Sequence, residues 1–124
     1  SLWPQPLTIR LKPRDDLPSK LRKQLGGKKA RIGVRVPADP LMAAVLDAMQ
    51  RPLLVSSANR ETKKGDTSPA QVRKNFGQIV DIFFDDGDLR PGPTSTVIDV
   101  VNSEIVVERA GAISAEAVHA AAYE

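Results

Sequence analysis

Cysteine is absent, so disulfides, thiolate zinc sites and cysteine nucleophiles are excluded. One histidine, His119, leaves almost no room for a histidine-rich metal site. A Ser–His–acid triad would have to use it, yet it sits in an alanine-rich tail that reads as an exposed helix. Aromatic residues make up 4%, which argues against platforms for stacking single-stranded bases. No apolar run approaches the ~20 residues that span a bilayer, and no charged-then-apolar secretion signal opens the chain. Nothing here contradicts a cytoplasmic address, and no membrane partner is expected. Nucleotide-binding loops are missing too. Gly26-Gly27-Lys28-Lys29 lacks the upstream glycine and the Ser/Thr of a phosphate-cradling loop, and no G-x-G-x-x-G follows a strand.

What is present suits one soluble globular domain over residues 1–124, with 41% hydrophobic and 27% charged residues. Charge is uneven. Residues 1–35 hold ten Lys/Arg against Asp15 and Asp16, a net of +8, whereas the remainder holds eight against thirteen acids, a net of −5. A basic leading third suits an anionic partner such as a nucleotide or an RNA backbone; a solvated basic helix is the plainer reading.

Strand-like and helix-like segments alternate. Leu7, Ile9 and Leu11 alternate with polar residues as a half-buried strand does, until Pro13. A short basic helix over 17–25 is stopped by Gly26-Gly27. Residues 31–36 alternate again. Asp39-Pro40 then supplies an N-cap and a first-turn proline for a helix burying Leu41, Ala44, Val45, Ala48 and Met49. The apolar run 53–55 reads as a strand delivering Ser56-Ser57-Ala58-Asn59, followed by a lysine-rich loop over 60–66. Ser68-Pro69 starts a helix to Phe76, with Gly77 as its stop, and 79–84 reads as an apolar strand. Residues 95–101 and 104–109 read as a hairpin turning at Asn102-Ser103. Ser114 caps a last helix to Ala122. The class is α/β, with a mixed sheet.

Chemistry concentrates at strand ends, where α/β sheets tend to hold ligands. Ser57 and Asn59 follow one strand, Ser95 and Thr96 begin another, and Arg109 ends a third. Arg109 shares parity with Ile105 and Val107, so it emerges from an otherwise apolar face and wants an anion; Arg35 projects opposite Ile32 and Val34. A salt bridge to one of the many acids is the alternative for each. Asp85, Asp86 and Asp88 suit a hard cation by chemistry but lack calcium-loop spacing, so a solvated turn is the preferred reading and no metal site is assigned. No general base stands out. The chemistry is that of positioning and charge stabilisation.

Six motifs occur in order over residues 2–113: Trp3-Pro4-Gln5-Pro6-Leu7-Thr8, Gly33-Val34-Arg35-Val36-Pro37 with Pro40-Leu41, Ser57-Ala58-Asn59, Ser68-Pro69, Ser95-Thr96-Val97-Ile98-Asp99, and Arg109-Ala110-Gly111-Ala112-Ile113. This succession resembles the YrdC-like family of threonylcarbamoyl-AMP synthases. The resemblance implies a twisted mixed sheet flanked by helices around a basic concave surface. It implies an enzyme condensing L-threonine, bicarbonate and ATP, with Mg²⁺ accompanying the nucleotide, into threonylcarbamoyl-adenylate and pyrophosphate for tRNA modification. By the same resemblance Ser57, Ser68 and Arg109 fall on ATP-contacting positions, and Arg35 and Ser95 on threonine-contacting ones.

The departures are specific. Gln5 replaces the glycine of W-P-G-P, and Arg60-Glu61-Thr62 replaces the end of S-A-N-x-S-G. Arg31 stands where the family has a nucleotide-contacting Thr or Ser, adding a phosphate contact or obstructing the adenylate pocket. The family's amino-terminal P-T-D/E-T-x-Y-G-L strand and K-R-x-x-x-K-P segment have no counterpart. With that portion missing, the chain alone is expected to bind weakly and turn over poorly, and unpaired sheet edges favour homo-oligomers. Two rival readings are a non-catalytic module for double-stranded RNA or tRNA, and a relative that has lost its adenylate pocket.

Overall fold

Alternation of Leu7, Ile9 and Leu11 with Thr8 and Arg10 produces strand β1 (Leu7–Leu11), as expected. The computed structural model describes residues 2–27, 30–58, 68–88 and 92–122. Helix α1 (Ser19–Gly26) follows and ends at Gly27, whose φ of +53° is open to glycine without steric cost. The chain returns as β2 (Ile32–Val34), antiparallel to β1. Much later, β3 (Thr96–Val101) lies parallel to β1, and β4 (Glu104–Arg109) antiparallel to β3. The sheet order is β2-β1-β3-β4, a mixed sheet. Asn102 and Ser103 both take positive φ, the mirror-image turn that matches strand twist, so the hairpin falls where expected. Helix α4 (Ala115–Ala122) is capped by the Ser114 hydroxyl, which accepts the Ala117 N–H at 3.2 Å.

The chain divides into two compact units: Ser1–Asp39 with Pro93–Glu124, and Pro40–Gly92. The first unit owns the whole sheet. One sheet face is apolar: Leu7, Ile98, Ile113 and Val118 are buried, with Leu2, Trp3, Ile9, Ile105 and Val107 packed against them. Each fully covered side chain contributes about 1.5–3 kcal/mol, so this small cluster holds the sheet to α4. Thr96 is also buried. Its Oγ1 donates to the Ile113 carbonyl at 2.7 Å and accepts the Ile113 N–H at 3.0 Å, which satisfies it and pins the segment after β4 onto β3.

The second unit contains α2 (Pro40–Met49) and α3 (Pro69–Phe76). Helix α3 begins at Pro69 after Ser68, and the Gly77 N–H donates to the Arg73 carbonyl at 2.8 Å, ending it where expected. Two expectations need correction. No residue of α2 is fully buried, and its half-buried stripe is Leu41, Met42, Val45 and Leu46, with Ala44, Ala48 and Met49 exposed. The runs 53–55 and 79–84 do not form strands. Leu54, Val55, Ile79, Ile82 and Phe84 are 61–83% exposed. A strand needs a neighbour for its N–H and C=O groups, and no described segment pairs with either run. Arg73 Nη2 instead reaches Asp85 Oδ2 at 3.2 Å, and its guanidinium carbon stands 4.5 Å from the Phe83 ring centre. Asp85 is thereby paired, and it also accepts the Gly87 N–H. The lysine-rich segment over 60–66 and Asn59 lie outside the described residues.

Candidate anion-binding face

The sheet's second face is polar. Register places Gly33 opposite Arg10, Thr8 opposite Val97 and Val97 opposite Arg109, so these side chains share one surface. Arg109 reaches it through an irregularity. Ile98 pairs with Val107 but Val97 pairs with Arg109, so β4 carries one extra residue, Glu108, at that step. Simple alternation would put Arg109 on the apolar face with Ile105 and Val107. The bulge corrects that expectation and carries Arg109 to the polar face.

There it meets Ser95, the residue before β3. Arg109 Nη2 and Nε donate to the Ser95 carbonyl at 2.8 and 3.1 Å. From beyond β2, Arg35 Nη1 donates to Ser95 Oγ at 3.1 Å. One residue thus holds two guanidinium groups, one through its backbone and one through its hydroxyl. Both arginines are exposed, and among the described residues neither is ion-paired to a carboxylate. Because Ser95 Oγ accepts from Arg35, its own proton is left to donate elsewhere. Two positive charges with remaining donors and no carboxylate make a receptor for anionic oxygens.

Gly111 makes the arrangement possible. A Cβ there would lie 2.2 Å from the Thr94 carbonyl oxygen and 2.6 Å from backbone atoms of Ser95 and Thr96. The chain leaving β4 therefore runs directly against the segment presenting Ser95, and the Ala112 N–H donates to the Thr94 carbonyl at 2.9 Å. The motif's glycine has a geometric cause: only a residue without a side chain fits.

Further along the same face the arginines are neutralised. Arg10 Nη1 pairs with Glu108 Oε2 at 2.7 Å. Arg31 Nη1 donates to the Val100 carbonyl at 2.8 Å and stands 3.1 Å from Asp99 Oδ1, close enough for ion pairing though not aligned as a hydrogen bond. Asp99 is 4% exposed, so Arg31 compensates a carboxylate taken out of water. Arg10, Arg31, Thr8, Gly33 and Val97, together with residues 24–27 at the end of α1, line a hollow of about 460 Å³. Gly33 helps keep it open, since a Cβ there would meet the Thr8 methyl at 3.2 Å.

The structure therefore joins Arg35, Ser95 and Arg109 directly and places Arg31 on the same sheet face with its Nη1 engaged. Ser57, exposed in an irregular segment, and Ser68, preceding α3, belong to the second unit. Sequence reasoning assigned no role to Thr8, Glu108 or Asp99. An acid within an alternating strand was a signal for the last two. Among the described residues no group of three or more His, Asp or Glu is placed to hold a metal ion, and no helix is long and apolar enough to cross a membrane.

Comparison with known proteins adds a second line of evidence. Residues 1–111 match the Sua5/YciO/YrdC family model, described as "Telomere recombination". The threonylcarbamoyl-AMP synthase of Pyrococcus abyssi is 31% identical over 92% of this chain and 32% of its own length. That of Nitrosococcus oceani is 37% identical over 66% of this chain and 42% of its own length. The uncharacterised protein YciO of Escherichia coli is 31% identical over 84% of this chain and 49% of its own. This chain thus spans between about a third and a half of the relatives it matches. The crystal structure of P. abyssi Sua5 complexed with L-threonine superposes with a TM-score of 0.79 at 31% identity, covering 95% of this chain and 34% of that one. The E. coli YciO crystal structure gives 0.75 at 29% identity, over 92% and 54% of the two chains. Ordered motifs, a match along most of the sequence and a shared fold agree: the chain belongs to the Sua5/YciO/YrdC family.

Proposed function

We propose that this chain carries part of the site of a threonylcarbamoyl-AMP synthase acting in tRNA threonylcarbamoyladenosine modification. The L-threonine amine attacks the bicarbonate carbon, a C–O bond breaks and water leaves, giving a carbamate. A carbamate oxygen attacks the α-phosphorus of ATP, the bond to the β-phosphate oxygen breaks, and pyrophosphate leaves. The observation that carries the reading is the meeting of Arg35 and Arg109 on Ser95 with no carboxylate between them among the described residues. The relatives named threonylcarbamoyl-AMP synthase support it.

In this reading Arg35 holds the threonine carboxylate through paired N–H donors, and Ser95 orients the same substrate with its free hydroxyl proton. Arg109 offsets charge on the nucleotide phosphates. Arg31, its charge offset by Asp99, adds guanidinium donors beyond the Nη1 held by Val100 and Asp99. Ser57 and Ser68 supply further nucleotide contacts by resemblance. Magnesium would arrive on the triphosphate. Residues 1–124 act as one YrdC-like domain. Catalysis is positioning together with charge stabilisation, since the described face offers guanidinium and hydroxyl groups.

The test is pyrophosphate release by the full-length protein with ATP, L-threonine and labelled bicarbonate. Release should require both co-substrates, label should enter an adenylate, and Arg35→Ala should raise the threonine requirement. ATP turnover indifferent to threonine would end the proposal. One observation favours a second reading, a non-catalytic tRNA or double-stranded RNA binder: the +8 balance of residues 1–35, with Lys20 and Lys23 exposed on α1. Binding that weakens steeply with salt, alongside indifference to ATP and threonine, would select it.

A further inference from the structure

We infer that Arg10 is a positioning residue for Arg109, acting through Glu108 to hold the bulge that presents the Arg109 guanidinium. This deepens the proposed function, because it rests on Arg109 being the nucleotide-facing charge.

Arg10 lies on β1 and Glu108 on β4, and β3 runs between them. Their side chains nevertheless meet at 2.7 Å across that strand. The side chains are only 22% and 21% exposed, so the pair is shielded more than an ordinary surface ion pair. Glu108 is the extra residue at the step where β4 loses register, between the pairs Ile98–Val107 and Val97–Arg109. An unbulged β4 would send Glu108 and Arg109 to opposite faces, because side chains alternate with a period of two. With the bulge, Glu108 meets Arg10 on the polar face while Arg109 forks onto the Ser95 carbonyl. Glu108 precedes Arg109 by one peptide bond, so Arg10 ties down the chain where the ladder is broken; without that tie the bulge backbone loosens, and the Arg109 fork on the Ser95 carbonyl loosens with it. Arg35 approaches Ser95 from the β2 side and does not depend on this register.

Arginine Nε–H signals of the ¹⁵N-labelled full-length protein test the inference without reference to any ligand. In Glu108→Gln and in Arg10→Ala, the Arg109 Nε–H should shift and exchange faster with water, while that of Arg35 stays in place. The reversed pair Arg10→Glu with Glu108→Arg should restore it. Calorimetry on the same proteins should show ATP affinity falling about tenfold with threonine affinity within about twofold, a split that general destabilisation does not produce. An unchanged Arg109 signal overturns the inference. A signal that responds while ATP affinity stays level upholds the positioning role and removes ATP as the ligand of Arg109. Should Arg10→Ala fail to fold, the nearly isosteric Glu108→Gln decides alone.

Discussion

Two ends of one sheet face carry arginines under opposite regimes. At the Ser95 end, Arg35 and Arg109 have a hydroxyl and a carbonyl for company and keep their net charge. At the α1 end, Arg10 and Arg31 face Glu108 and Asp99 and lose it. Guanidinium groups against neutral oxygens recruit anions, whereas those against carboxylates hold strands together. The same residue type in the same sheet is thus left free to meet an anion at one end, as the proposed function requires, and is tied into ion pairs at the other.

The sharpest way to break this contrast is Gly111→Ala. It should cost about 3 kcal/mol in denaturant unfolding, because the new methyl meets three fixed backbone atoms and the segment presenting Ser95 must move. Asp99→Asn tests the structural end. Removing the charge opposite Arg31 should cost about 2–3 kcal/mol, below the loss for a fully buried pair because Arg31 keeps 21% exposure. ATP and threonine affinity should both survive it. At the binding end, Arg109→Ala should weaken ATP about thirtyfold by calorimetry while leaving unfolding within about 0.5 kcal/mol. The exposed Arg14→Ala serves as its control. Ser95→Ala divides that end further: it deletes the hydroxyl used by Arg35 and keeps the carbonyl used by Arg109, so threonine affinity should fall and ATP affinity hold. The smallest effect lies outside the face, at Glu116. A backbone hydrogen bond, then the Ser114 side chain, hold its carboxyl below the usual 4.5 against the opposing effect of burial, with His119 adding the least. Its stabilisation is complete above the unfolded value and disappears as pH falls through the lowered one. Glu116→Gln should therefore lower Tm slightly at pH 7 and match the native chain in acid.

What was legible in the sequence was local. Pro69 and Gly77 bound α3, Gly27 ends α1, and Asn102-Ser103 turns the hairpin, because each depends on its own backbone preference. The runs 53–55 and 79–84 misled because apolar alternation describes what a strand could bury, while forming one needs a neighbour to accept its hydrogen bonds. Arg35, Ser95 and Arg109 were legible as candidates through hydroxyls and guanidinium groups at strand ends. Their facing was not. Counting parity along residues 104–109 assumes unbroken alternation, and a bulge is a property of two strands together. Gly111 was visible as a motif letter, but its reason lies in the backbone of residues 94–96, distant in sequence and adjacent in space.

The central parallel pairing joins positions 7 and 96. During synthesis Leu7 must wait until position 96 has emerged before its partner exists, so the Ser95 cluster cannot assemble before then. High sequence separation between paired strands slows folding and prolongs the lifetime of half-built forms. Expression conditions that slow aggregation during that interval, rather than ones that merely raise final stability, should govern how much active protein is recovered.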